Sequence, residues 1–176
     1  MGRIGKLFSY MHYNIKPDIV TLAKSIGCGF PLAAMLTTNK IGKVFSLGVH
    51  GSTYGGNPLA CAVGNIAFDV ISNKEVLNGV KTKHDLFKNH IKRINLEFDI
   101  FQEIRGIGLL LGIKLNKNYI NRGRDILKEA FKNGLMLLNA GNNVLRLAPS
   151  LIISNEDIEE GMKRFYKTIK VLKKKN

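Results

Sequence analysis

Two short apolar runs around a glycine-rich turn constrain the fold most strongly. Residues 18–22 follow Pro17 and contain β-branched side chains, and residues 32–37 form a second apolar run. Such runs predict strands, the first of them buried. The turn at residues 27–29 is short enough to make the two strands antiparallel neighbours. We therefore expect Lys24, which lies between the first run and the turn, at the end of a buried strand.

The first block of the chain, residues 1–75, continues with a polar, glycine-rich loop at 50–58. Pro58 suits the first turn of a helix, and the pattern predicts a helix to about residue 71. Small residues in that helix, among them Ala60, Gly64 and Ala67, permit close packing against a neighbouring element.

The second block, residues 76–176, alternates helices with strands. Helices are predicted at 76–94, at 120–132 and after Ser154, where Asp157 completes a capping box. Four runs predict strands: 101–105, 109–115, 135–138 and 144–148. We expect an α/β chain whose second block is a small α+β domain.

The net charge is strongly positive, because 27 Lys and Arg stand against 13 Asp and Glu and give +14. An excess of this size attracts phosphates, nucleic acid or anionic membranes. The basic residues are scattered, and no aromatic residues interleave with a basic stripe as single-strand binding requires. We interpret the charge as a solvated surface, and nucleic-acid binding stays an alternative that only the net charge favours.

Cys28 and Cys61 fit no metal-binding spacing and cannot form a disulfide framework, so we expect two small buried thiols and no metal site. The N-terminal residues lack the apolar segment of a secretory signal, and no apolar run is long enough to cross a membrane. These features predict a cytoplasmic protein with neither a membrane nor a nucleic-acid partner.

Several motifs follow one another in a fixed order. They are GRIGKLF at 2–8, KPDIVTLAK at 16–24, GFPLAAM at 29–35, HGSTYGGNPLA at 50–60 and VLRLAPSL at 144–151. Their order and spacing resemble class III aminotransferases, most closely those of the acetylornithine type, over nearly the whole chain. The resemblance implies a pyridoxal-phosphate-dependent transferase fold of type I, like aspartate aminotransferase. Residues 1–75 would be the C-terminal part of its large cofactor-binding domain, and residues 76–176 its small domain.

The resemblance gives Lys24 the central role. In that family the matching lysine binds pyridoxal 5'-phosphate through an imine. An imine forms only from an uncharged amine, and a buried site beside the cofactor favours that form. The freed amine then carries a proton between the substrate Cα and the cofactor, whose ring acts as an electron sink. Taken alone, a lysine at a strand end is more often a plain surface residue.

Three further residues receive roles from the same resemblance. Thr53 binds the cofactor phosphate of the other subunit in a homodimer, and Ser52 lies beside the acyl-ornithine substrate. The glycines around them let the backbone approach an anion, although a plain turn is the alternative. Arg146 pairs with a substrate carboxylate through two parallel hydrogen bonds, with a structural salt bridge as the alternative.

The function implied is transfer of the amino group of N-acetylornithine to 2-oxoglutarate in arginine biosynthesis. Ornithine, succinyl-diaminopimelate, succinylornithine and 4-aminobutyrate remain alternative donors. Chains of the family carry an aspartate, which pairs with the cofactor ring nitrogen, just before the Gly-Arg-x-Gly-Lys motif. We expect that N-terminal half to be missing here. A truncated, catalytically inactive fragment that acts as a folding or dimer-interface module is therefore the second hypothesis.

Overall fold

The computed structural model describes residues 1–174 and separates into two compact units. Unit 1 contains Met1–Gly2 and Lys6–Leu77. Unit 2 contains Arg3–Gly5 and the residues from Asn78 onward. The short segment Arg3–Gly5 therefore belongs to unit 2, although its neighbours in the chain belong to unit 1.

Unit 1 contains the predicted strand pair. Strands β1 (Ile19–Leu22) and β2 (Ala34–Thr37) are antiparallel, with Ile19 opposite Thr37, which confirms the expected pairing. The expected burial is wrong, because Ile19 is 49% exposed and Lys24 is exposed as well. Within this unit two strands and one long helix are too few to cover both faces of the sheet.

Two helices follow β2 in unit 1: α1 (Asn39–Gly42) and α2 (Pro58–Ser72). Helix α2 begins at Pro58, as predicted, because Pro58 stands at the first helical position and the Asn57 side chain caps it. Its buried face consists of Ala60, Gly64, Ala67 and Ile71. A Cβ on Gly64 would lie 2.6 Å from the Leu32 side chain, which confirms the close packing expected from small residues.

The second block of the chain forms four helical and four strand segments. In chain order they are α3 (Lys74–Phe98), β3 (Phe101–Ile107), β4 (Leu110–Leu115), a 3-10 turn (Lys117–Tyr119), α4 (Gly123–Lys132), β5 (Leu138–Asn139), β6 (Val144–Leu147) and α5 (Asn155–Lys174). The strands form one antiparallel sheet in the order β3-β4-β6-β5. The strand predicted at 135–138 is wrong except at its last residue. At the start of the predicted strand, the Leu135 amide donates to the Ala130 carbonyl, so Leu135 belongs to the end of α4 instead.

The core of unit 2 lies between this sheet and its helices. Strand β4 buries alternate residues, Leu111, Ile113 and Leu115, as a sheet with one covered face requires. Helix α5 is capped as predicted, since the Ser154 hydroxyl accepts from the Asp157 amide at 3.0 Å. Its buried face includes Phe165, which stacks on Phe101 with ring centroids 5.7 Å apart. Unit 2 therefore has the α+β organisation that its sequence pattern predicts.

Both cysteines differ from the expectation. Cys28 and Cys61 are exposed rather than buried. Cys28 lies in the turn after β1, and Cys61 lies on the uncovered side of α2, so neither reaches the small apolar core of unit 1. None of the helices within residues 1–174 combines the length and the hydropathy needed to cross a membrane.

Candidate functional site

Lys24 lies two residues beyond the end of β1, in a 3-10 turn formed by Lys24–Ile26. Its backbone has φ of +56°, a left-handed conformation that side chains other than glycine rarely adopt. Such strain persists only where the surrounding structure imposes it, and it often marks a functional position.

The turn after Lys24 imposes that conformation. The Gly27 amide donates to the Lys24 carbonyl at 3.1 Å, and the Phe30 amide donates to the Gly27 carbonyl at 2.8 Å. A Cβ on Gly27 would overlap the Phe30 carbonyl oxygen, so only glycine fits there without a shift of the backbone. The turn therefore fixes the backbone from which the Lys24 side chain extends.

Lys24 lines an open groove of about 590 Å³ in unit 1. Its other lining residues lie on the two strands or directly beside them: Thr21, Leu22, Ala23, Ala33, Ala34 and Met35. Within residues 1–174 no hydrogen bond or ion pair holds the Lys24 side chain. The amine is therefore accessible to an aldehyde, but it is more exposed than its sequence position suggested.

Ser52 and Thr53 lie in the loop before α2, and both are exposed. The Ser52 hydroxyl accepts from the Gly55 amide at 3.0 Å, so it holds the loop rather than facing solvent unpaired. Thr53 has no hydrogen-bond partner in the described part of the chain, and its hydroxyl is available to a ligand. The groove at Lys24 contains neither residue. The structure thus places Lys24, Ser52 and Thr53 in unit 1 without joining the loop to the lysine.

Arg146 lies on β6 in unit 2, opposite Gly112 of β4 and Leu138 of β5. It lines a largely apolar cavity of about 300 Å³ beside α5. Among the described residues it forms no ion pair, and its pairing with a substrate carboxylate stays a prediction. A guanidinium that is exposed and unpaired is available to a carboxylate.

Arg3 and Asn57 form hydrogen bonds to segments next to the candidate site residues, and neither was predicted from the sequence to have a role. The Arg3 guanidinium donates to the carbonyls of Leu109 and Pro149 in unit 2. Desolvation by burial lowers the pKa of Arg3 from its usual value. It anchors the segment that follows β6 and therefore supports the strand of Arg146. The signal for Arg3 was its place in the first motif, and the signal for Asn57 was its place immediately before Pro58.

A family model described as aminotransferase class-III matches residues 1–169. The chain belongs to the class III aminotransferases. Acetylornithine/succinyldiaminopimelate aminotransferase of Yersinia pestis is 56% identical over 169 residues, which are 96% of this chain and 42% of that protein. Acetylornithine aminotransferase 1 of Pseudomonas syringae pv. tomato is 54% identical over the same shares of the two chains. The class III chain described here thus spans less than half the length of these relatives.

Solved structures of aminotransferases are similar to this chain in fold. N-acetylornithine aminotransferase from Stenotrophomonas maltophilia K279a matches with a TM-score of 0.91 at 38% identity, over 99% of this chain and 45% of that one. Ornithine aminotransferase from Plasmodium yoelii matches with a TM-score of 0.86 at 35% identity, over 97% and 45%. These matches confirm the predicted fold of pyridoxal-phosphate-dependent aminotransferases.

Class III aminotransferases depend on pyridoxal phosphate, which confirms the predicted cofactor. The residues of this chain fit that group in two respects. A lysine amine without a protein partner borders a groove, and a glycine-rich loop presents an unpaired threonine hydroxyl. An aldehyde needs the first feature and a phosphate the second.

Proposed function

We propose that this chain is the lysine-bearing part of an aminotransferase that moves the amino group of N-acetylornithine to 2-oxoglutarate in arginine biosynthesis. Residues 1–75 belong to its large domain and residues 76–176 form its small domain. The observation that carries the proposal is Lys24, an amine without a protein partner on a backbone held at φ of +56°. Relatives that are 52–56% identical carry acetylornithine in their names, which supports N-acetylornithine as the amino donor. Some of these names also include succinyldiaminopimelate or succinylornithine, which are therefore alternative donors.

Each side chain has a separate task in this proposal. Pyridoxal phosphate supplies an electron sink next to the reacting carbon when it is bound. The Lys24 amine holds the cofactor between turnovers and afterwards moves a proton at the substrate Cα. The Thr53 hydroxyl binds a phosphate oxygen in the partner subunit of a cytoplasmic homodimer. Ser52 borders the acyl end of the donor, and Arg146 pairs with a substrate carboxylate.

Chemical trapping tests the central assignment. The intact protein is incubated with pyridoxal phosphate, reduced with borohydride, digested and mapped by mass spectrometry. We expect the label on the peptide that contains Lys24, and a visible absorbance band that Lys24→Ala abolishes. Lys40→Ala is the matched control, because Lys40 is also an exposed lysine of unit 1. A reduced adduct at another lysine, or none, contradicts the proposal.

One observation favours a second function. In it the chain is a module that associates with another protein surface and catalyses no reaction. Unit 1 leaves large apolar side chains uncovered, among them Val44, Leu47 and Ile66. Exposed apolar patches of this kind mark interaction surfaces. Light scattering and absorbance separate the two functions. A chain that associates with itself or a partner yet never acquires the absorbance of bound cofactor supports the module.

A further inference from the structure

The Asn57 side chain is hydrogen-bonded in two directions. Its Oδ1 atom accepts from the Ala60 amide at 2.9 Å and so caps the first turn of α2. Its Nδ2 atom donates to the Tyr54 carbonyl at 2.8 Å. The backbone amide of Asn57 also donates to this carbonyl, at 3.3 Å. One side chain therefore connects a helix of 15 residues to the loop that precedes it.

The same loop is fixed at its other end. The Ser52 hydroxyl accepts from the Gly55 amide at 3.0 Å, and Gly56 adopts φ of +71° to return the chain toward the helix. Thr53 lies between Ser52 and Tyr54, so both of its neighbours are held. Its own hydroxyl has no partner among residues 1–174. The hydrogen bonds thus leave the Thr53 side chain on a short segment that is pinned on both sides.

We propose that Asn57 is a positioning residue, which holds the Thr53 hydroxyl and the neighbouring loop amides where they bind the cofactor phosphate. This inference rests on the phosphate role of Thr53 in the proposed function. A donor that is already in place binds an anion without the entropic cost of ordering the loop. Without the Nδ2 bond only the longer bond from the Asn57 backbone amide holds the Tyr54 carbonyl, so the phosphate itself would have to order more of the loop and the cofactor would bind more weakly.

A purely structural role for Asn57, as a helix cap, makes a different prediction. Serine caps a helix about as well as asparagine, but its hydroxyl is too short to bridge Ala60 and Tyr54 as the amide does. Asn57→Ser therefore retains the cap and removes the bond to the loop, and it introduces no charge. Asn73→Ser is the matched control, because Asn73 caps α3 by accepting from the amides of Glu75 and Val76.

The test compares the binding of two ligands to the intact protein after its cofactor has been removed. Pyridoxal 5'-phosphate reports on the phosphate site, and pyridoxal, which has the aldehyde but no phosphate, does not. We expect Asn57→Ser to raise the Kd of pyridoxal 5'-phosphate about 10-fold, as expected for one lost hydrogen bond. The Kd of pyridoxal changes by less than about 2-fold, and Asn73→Ser changes neither affinity.

Thr53→Ala separates failure of this inference from failure of the proposed function. If Thr53→Ala weakens pyridoxal 5'-phosphate selectively but Asn57→Ser does not, the positioning role is refuted and the phosphate role stands. Equal weakening of both ligands by Asn57→Ser also refutes it, because a damaged fold affects them alike. If Thr53→Ala itself leaves the ratio of the two affinities unchanged, the phosphate role fails and the inference fails with it.

Discussion

Truncation of Phe165 tests whether unit 2 is built around the core described above. Phe165 is 1% exposed and stacks on Phe101, so Phe165→Ala removes a side chain almost wholly withdrawn from water. The lost transfer free energy is about 2 kcal/mol. A void of roughly 80 Å³ that the core cannot close adds about 2 kcal/mol. The sum, about 4 kcal/mol, lies within the range measured for buried phenylalanine.

Phe131 provides the matched control, since it is 78% exposed on α4 in the same unit. We expect Phe131→Ala to change the free energy of unfolding by about 0.5 kcal/mol or less. Hydrogen exchange of the β4 amides reports on unit 2 specifically, and about 4 kcal/mol corresponds to roughly a thousandfold faster exchange at the most protected amides. Comparable acceleration in both variants would refute the placement of Phe165 in the core.

Three further predictions concern the lysine turn, the α3–β3 connection and a helix ion pair. Gly27→Ala places a Cβ on a carbonyl oxygen, so we expect the borohydride-reducible adduct at the lysine to fall at least about 10-fold. Gly42→Ala, whose Cβ would make only an ordinary van der Waals contact, leaves the adduct unchanged. Asn95→Ala leaves the amides of Ile100 and Phe101 and the Phe101 carbonyl without the Asn95 side chain, so the free energy of unfolding, measured by chemical denaturation, should fall by about 3 kcal/mol. Asn95→Asp keeps the acceptor for both amides and should lose less. A hydrogen bond from Arg164, and then its charge, lower the pKa of Glu160 below 4.5, so Arg164→Gln should raise the NMR titration midpoint of Glu160. Because the folded-state pKa is the lower one, the stabilising effect of the pair is present above the unfolded pKa and is lost as the pH falls through the folded value. A midpoint that Arg164→Gln leaves unmoved contradicts that origin.

Local signals in the sequence predicted the elements of this chain well. Pro58 indicated where α2 begins, and the Ser154–Asp157 spacing indicated the cap of α5. Short β-branched runs around a glycine turn predicted the β1–β2 pair, because the turn leaves no room for a crossover. Only the resemblance of several motifs in order singled out Lys24 among many lysines, since a lysine at a strand end has no chemistry that distinguishes it locally.

Burial was decided by tertiary structure. The apolar run that ends near Lys24 and the residues Cys28 and Cys61 have the composition of buried positions, yet none of them is buried in unit 1. Burial depends on which other elements cover a surface, and a local pattern does not contain that information. A local pattern also does not contain the hydrogen bond from Asn57 to the Tyr54 carbonyl, or the hydrogen bond from Arg3 to the Pro149 carbonyl after β6. The sequence by itself determined the order and type of most helices and strands and which family the chain resembles. Only the folded structure decided which side chains are covered, which are paired and which are left for a ligand, because those properties belong to residues brought together from distant parts of the chain.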